Sequence, residues 1–521
     1  MRLVMQRFPA PQTVTPTQPW PLHSVLATRQ IEQAAQVSLA PHTLMQRAGL
    51  AVARLALALA PHARTVWIAC GPGNNGGDGL EAAVHLRAWG KRVCVTWLGD
   101  PARLPPDALA ALHRARAADL QWLHEPPDGL TAQDLCVDAL LGIGVSHRPP
   151  SDQLQDSIRA LNASRATVLA VDMPSGLHAD TGQYAMQSIA APAISVRAGG
   201  TFDLKKPHVM AQHTLSLLTL KPGLFTAHGR DAAGQVWLDD LGVDTPDSPP
   251  TAWLTGPSTS NPRLHASHKG SYGDVAVIGG APGMTGAALL AARAALHGGA
   301  GRVFVGLLDD APMPVDAQQP ELMLRPWQSL DLSKMAVACG CGGGTAVRNA
   351  LPRVLAAAAA LVLDADALNA IAGDSALQAQ LKARAHRFPR STVLTPHPLE
   401  AARLLASVLM TACSTADVQA DRLTAAQQLA DHFACTVLLK GSGSVIAAPG
   451  RTPHINPTGN ARLATAGTGD VLAGLLAAGL AGQAQADSFT AATQAAFAHG
   501  KAADDWPVLT VLTANSLARA A

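Results

Sequence analysis

A chain of 521 residues, 48% of them apolar and only 15% charged, has material for more than one buried core. Its 39 basic and 37 acidic residues leave a formal net charge of +2, which excludes the basic stripe that a nucleic-acid binder needs. Seven cysteines without framework spacing argue for buried thiols in a reducing compartment rather than for a disulfide scaffold.

In chain order, Met1 to Trp20 is rich in Pro, Gln and Thr and lacks the continuous apolar centre of a secretory signal. Ala48 to Ala60 is interrupted by Arg54, and Val471 to Ala481 is too short to span a bilayer. Both read as buried helices, so the cytoplasm is the expected compartment and no membrane partner is expected. Val66-Trp67-Ile68-Ala69, Val93 to Trp97, Leu135-Cys136-Val137 and Val168 to Val171 read as strands buried on both faces. Helical patterns lie between them, as in Gly79 to Ala88 and Asp107 to Ala117. The alternation breaks between Asp244 and Pro262, a Pro/Ser/Thr-rich linker, and resumes with strands at Val275 to Ile278, Val303 to Val305, Leu361 to Leu363, Val393-Leu394 and Val437 to Leu439. Two α/β domains with parallel sheets are predicted, joined near residue 250.

The strand at Val66 runs into Cys70-Gly71-Pro72-Gly73-Asn74-Asn75-Gly76-Gly77-Asp78-Gly79, where five glycines in ten residues let a backbone approach a ligand closely. Two further strand ends carry acids: Asp138 before Ala139-Leu140-Leu141-Gly142-Ile143-Gly144, and Asp172 before Met173-Pro174-Ser175-Gly176. Either aspartate alone could be a helix cap. Beyond the carboxyl ends of one parallel sheet, the three loops should converge into a ligand site.

These motifs, with Leu44 to Gly49 and Leu220-Lys221-Pro222-Gly223, resemble the epimerase domain of the NAD(P)H-hydrate repair family, over roughly residues 23–245. The resemblance implies a Rossmann-like fold and interconversion of the R and S hydrates at C6 of the nicotinamide ring. It implies a potassium ion (K+) on the oxygen ligands Asn75, Asp138 and Ser175. Asn74, Asn75, Gly76, Gly77, Asp78, Gly142, Ile143, Gly144, Val145, Ser146, His147, Arg148 and Asp172 would surround the dinucleotide. Asp172 is the residue expected to serve as the acid–base group. About twenty extra residues, including Ala193 to His208, depart from the family pattern and read as a surface insertion.

In the second half, Asn460 to Gly469 leads through Gly467-Thr468-Gly469 into Asp470 and a helix. The glycines free the backbone, the helix start favours phosphate charge, and Asp470 is placed to take a proton from a hydroxyl. The plain alternative is that Asp470 only caps the helix. Lys440-Gly441-Ser442-Gly443-Ser444, Thr395-Pro396-His397, Asp364-Ala365-Asp366 and Gly340 to Gly344 follow other predicted strands or form flexible loops. These segments are similar to the ribokinase-like dehydratase domain of the same family, over roughly residues 253–521. By that resemblance Ala287, Gly342, His397 and Asp470 contact the S hydrate, Lys440 to Ser444 and Gly469 contact the adenine nucleotide, and ADP and Mg2+ take part. Cys341 stands where the family usually has Pro, and Ser442 and Ser444 replace Ala and Thr. The resemblance implies NADHX and NADPHX as substrates, and a homo-oligomer is expected. A small-molecule kinase would explain Asp470 but not the Asn-Asn-Gly-Gly-Asp domain; a non-catalytic nucleotide sensor would not need Asp138, Asp172, His397 and Asp470 together.

Overall fold

Strand–helix alternation in the sequence becomes two α/β units in the computed structural model, which describes residues 10–144, 151–184, 208–244, 248–258, 264–309, 313–481 and 487–520. One unit is built on Trp20–Thr251 and the other on Ala252–Ala521. Val145, Ser146, His147, Arg148 and most of the Ala193 to His208 segment lie outside the described residues.

The sheet of the first unit has the strand order Gln12–Thr13, Gln235–Asp239, His213–Leu217, Thr167–Val171, Leu135–Ala139, Val66–Cys70, Val93–Trp97, Gln121–Leu123. Among the described residues only the Gln12–Thr13 edge runs antiparallel. Along Val66–Cys70, residues 66, 68 and 70 enter one apolar cluster and Trp67 and Ala69 the cluster on the other face. That is the two-residue period of a strand covered on both sides. From Val66–Cys70 the chain moves outward through Val93–Trp97 to Gln121–Leu123, then returns to Leu135–Ala139 on the opposite side. The order reverses between Val66–Cys70 and Leu135–Ala139, and a crevice opens beyond their carboxyl ends.

Two local readings change. Asp138 lies inside its strand, opposite Ala69 and Ala170, rather than after its end. The glycine-rich stretch is also mostly helix: Asn74–Ala88 is continuous, leaving only Gly71 to Gly73 as loop. Close packing is the reason. A Cβ at Gly76 would lie 2.0 Å from the Gly71 carbonyl oxygen, and one at Gly79 would lie 2.5 Å from the Ala139 Cβ. The glycines bring the helix onto the strand rather than loosening a loop. Gly76→Ala should therefore force backbone apart and destabilise the first unit by about 1–3 kcal/mol, an overpacking cost read as a lower denaturation midpoint.

In the second unit the order is Met323–Leu324, Arg302–Leu307, Asp274–Gly279, Met335–Cys339, Ala360–Leu363, Thr392–Leu394, Thr436–Leu439, Val445–Ala447, His454–Ile455, Ala252–Leu254. It is parallel up to Thr436–Leu439; Val445–Ala447 is antiparallel to both its neighbours. The reversal here falls between Asp274–Gly279 and Met335–Cys339. Ala252–Leu254 lies within the predicted linker, where a parallel pairing with His454–Ile455 overrides the Pro/Ser/Thr composition around it. The helix Thr468–Ala481 packs on Thr285–His297 so closely that a Cβ at Gly474 would sit 2.0 Å from the Ala291 carbonyl oxygen.

Six of the cysteines are buried and Cys413 is half-buried. Among the described residues no helix is long and apolar enough to cross a membrane.

Candidate active sites

The crevice of the first unit holds a cavity of about 410 Å³. Asn74, Asn75, Asp78, Gly142 to Gly144 and Asp172 line it, as the three converging loops predicted. Asp172 sits at positive φ (+66°), a conformation in which aspartate is better tolerated than most residues. Its amide donates to the Leu215 carbonyl at 2.7 Å. One carboxylate oxygen, Oδ1, accepts from the Lys221 ammonium and from the Leu217 amide at 3.3 Å. Glu32 and Asp78 share the cavity wall. Burial, then the nearby Asp172 charge, raises the pKa of both, that of Asp78 well above the usual carboxylate range.

Asp138 and Ser175 form a buried pair beside this cavity. Ser175 donates through Oγ to Asp138 Oδ1 at 2.6 Å and through its amide to Oδ2 at 2.8 Å. The Leu140 amide donates to Oδ1 at 3.2 Å. Burial nonetheless pushes the Asp138 carboxyl up to about 6 against these hydrogen bonds. Both polar side-chain atoms of Asn75 are buried without a hydrogen-bond partner among the described residues. A buried amide left unsatisfied costs on the order of 1–3 kcal/mol, so an orphan here points to a missing ligand. A Cβ at Gly142 would lie 3.0 Å from Asn75 Oδ1 and 3.3 Å from Asp172 Oδ2, so only glycine leaves that space open. Oxygen-only donors, one orphaned and one a buried carboxylate, fit a hard cation such as potassium and not a thiophilic metal.

In the second unit, loops from four strand ends meet around Asp470. The Cys341 sulfur and one carboxylate oxygen each of Asp364 and Asp470 lie within 4.8 Å of one another. Lys440 Nζ donates to Asp364 Oδ1 at 2.6 Å, and the Thr395 hydroxyl donates to the same oxygen at 2.8 Å. A Cβ at Gly469 would stand 3.5 Å from Lys440 Nζ, and one at Gly342 would stand 2.9 Å from the Ala287 Cβ. Asp470, Gly469, Lys440, Cys341, Gly342 and Ala287 are thus gathered at one place. Burial, then Asp364, pushes the Asp470 carboxyl up to about 6 despite Lys440 and a hydrogen bond from Cys341. Burial alone would lower Lys440, but Asp364 and Glu400 outweigh it and its pKa is raised. Cys341 is held far above the usual thiol range by burial, then by Asp470 and Asp364, so it remains a protonated thiol.

Asp470 lies inside the first turn of Thr468–Ala481, past the position of a cap. His397, in contrast, is a cap. Its Nδ1 accepts from the amides of Leu399 (3.1 Å) and Glu400 (3.4 Å), and the Glu400 side chain returns a bond to the His397 amide. Its ring is half-exposed, and its pKa is lowered by burial, then by Lys440. In the Lys440 to Ser444 loop, Gly441 and Gly443 have positive φ (+137° and +64°). Arg422 fastens this loop from behind, with Nη2 donating to the carbonyls of Leu439 (3.3 Å) and Lys440 (3.2 Å).

Sequence reasoning missed Lys221, Glu32 and Arg422 as parts of the sites. Glu32 comes from the helix Val25–Ser38, whose polar face looks like any solvated one in sequence. Lys221 left one faint signal, a lone cation among apolar neighbours in Leu220-Lys221-Pro222, whereas Arg422, beside Asp421, left none.

Residues 275–519 match the family model described as NAD(P)H-hydrate dehydratase, and residues 41–223 match that of the YjeF-related protein N-terminus. A bifunctional NAD(P)H-hydrate repair enzyme of Escherichia coli is 34% identical, covering 91% of this chain and 87% of that one. A Leishmania braziliensis counterpart is 36% identical (90% and 86% covered), and one from Coxiella burnetii 34% (91% and 93%). Among solved structures, a Bacillus subtilis ADP/ATP-dependent NAD(P)H-hydrate dehydratase is 30% identical over 50% of this chain and 91% of that one, with a TM-score of 0.41. Relatives above 30% identity extend over nine-tenths of the sequence, and the chain belongs to the family of bifunctional NAD(P)H-hydrate repair enzymes.

Proposed function

We propose that this chain repairs hydrated nicotinamide dinucleotides in two steps. The first domain, residues 23–245, interconverts the R and S hydrates NADHX and NADPHX. The second, residues 253–521, dehydrates the S form with ADP, giving NAD(P)H, AMP and phosphate. The observation that carries this reading is the pairing of two polar clusters, each beyond the carboxyl ends of the parallel strands of its own sheet, in a chain related over nine-tenths of its length to bifunctional repair enzymes.

In the epimerase site Asp172 is the proton-transfer group for the C6 hydroxyl, and the Asn74 to Asp78 and Gly142 to Arg148 segments surround the dinucleotide. Asn75, Asp138 and Ser175 hold a potassium ion, which when bound supplies positive charge beside the cavity. Asp172 exchanges its proton with substrate through the oxygen that faces that cavity.

In the dehydratase site hydroxide would be a poor leaving group, so the C6 hydroxyl is phosphorylated first. Asp470 takes the hydroxyl proton as the oxygen attacks the β-phosphorus of ADP and AMP departs. Phosphate then leaves C6 with the C–O electron pair, and loss of a C5 proton restores the reduced ring. Lys440, Gly441, Ser442, Gly443, Ser444 and Gly469 hold the nucleotide, while Ala287, Gly342 and His397 contact the hydrate. Mg2+ would be carried by the phosphates of ADP and would supply charge neutralisation there. The protein acts in the cytoplasm as an oligomer of identical chains.

The state of Asp470 makes the reading testable. A base must be ionised to act, and burial holds this carboxyl at about 6, so dehydration should be lost as pH falls through about 6. The measurement is the rate of S-hydrate dehydration against pH at saturating ADP. An acid limb below about 4, in the range of an ordinary carboxylate, would contradict Asp470 as the base.

A further inference from the structure

We infer that Lys221 is a positioning residue of the epimerase site: it grips one oxygen of Asp172 and leaves the other as the single proton-transfer atom facing the cavity. This rests on the reading of Asp172 as the acid–base group. Lys221 is 1% exposed, although lysine is rarely buried so completely without a task. Each partner of its ammonium is fixed by the sheet. It donates to Asp172 Oδ1, to the Leu217 carbonyl at 2.8 Å and to the Ser216 hydroxyl at 3.4 Å, both on or at the end of the strand His213–Leu217. Three donors meet three acceptors, so the ammonium has nothing left for substrate.

The geometry of Asp172 completes the case. With Lys221 and the Leu217 amide both on Oδ1, Oδ2 is the oxygen next to Gly142, on the side where the cavity lies. The positive φ of Asp172 and its amide bond to Leu215 hold the backbone from which this carboxylate projects. The other charges near it are Glu32 and Arg29 from Val25–Ser38, Asp78 from Asn74–Ala88, and, further off beside Glu32, Asp107 from Pro106–Arg116; His23 lies near Lys221. Three of these are carboxyls. Lys221 is the cation bonded to Asp172 directly, so Lys221→Met would remove the opposite charge at that oxygen.

The test compares the full chain with Lys221→Met, Lys221→Arg and Asp172→Asn, following R/S interconversion of NADH hydrate against pH without nucleotide. Lys221→Met should lower kcat at neutral pH by about 10-fold or more, and its acid limb should move up by about one pH unit or more. Much of the rate should return in alkaline buffer. Lys221→Arg keeps the charge but not the grip, so its limb should stay near the wild-type position while kcat falls and KM changes little. A merely structural lysine would lower the rate equally at every pH. An unmoved limb in Lys221→Met, or wild-type kcat in Lys221→Arg if the Met variant is insoluble, would overturn the inference. Asp172→Asn separates the two failures: if it keeps its rate, the acid–base reading of Asp172 fails, whatever the lysine variants do.

Discussion

Asp470→Asn should lower dehydration of the S hydrate by on the order of 10²–10⁴-fold, the usual share of a general base. Asparagine keeps the shape of the side chain and loses its capacity to take a proton. That loss corresponds to roughly 3–5 kcal/mol of barrier. The competing explanation is electrostatic support of the helix, since Asp470 lies in the first turn of Thr468–Ala481. A first-turn carboxylate interacting with the helix dipole stabilises by about 0.3–1 kcal/mol, far too little for such an effect on rate. Nucleotide affinity should change little, because Gly469 and the Lys440 to Ser444 loop, fastened by Arg422, are untouched. Epimerisation should also persist. A variant retaining most of its dehydration rate at saturating hydrate would remove Asp470 from the chemistry.

Asp138→Ala should lower epimerisation by at least on the order of 10–100-fold, since that is the usual loss even when a carboxylate only supports a metal's ligands. The substitution strips the buried charge that would answer a cation and leaves the Ser175 amide and hydroxyl without their shared acceptor. Dehydration of pure S hydrate should continue at the wild-type rate. Potassium-free buffer should reproduce the epimerase defect in the wild-type protein and have little further effect on Asp138→Ala. Equal epimerisation with and without potassium would contradict the cation assignment.

How much of this was legible in the residues differs between levels. The strands were legible where β-branched and aromatic residues run together, as in Val66–Cys70 and Val93–Trp97, because burial on both faces demands such runs. Met335–Cys339 was not: with two alanines among five residues it carries little strand propensity, and its place between two other strands supplies what local chemistry does not. The site loops were legible because acids at the ends of apolar runs have few structural uses. Glycines were harder to read, since a residue without Cβ serves a turn, a ligand and a tight helix contact alike. Gly76 and Gly79 turned out to serve packing. The ion pair of Asp172 with Lys221 spans 49 residues, a separation that no local pattern encodes.

If one chain carries both steps, pure R hydrate should be restored by this protein without a second enzyme. The R form should be supplied with ADP, potassium and magnesium, and the return of reduced-nicotinamide absorbance followed beside a parallel sample of S hydrate. Wild-type protein should restore NADH from both forms, Asp138→Ala readily from S alone, and Asp470→Asn from neither at an appreciable rate. Wild-type protein that converts S hydrate but consumes R hydrate no faster than the Asp138 variant would contradict the assignment of both steps to one chain.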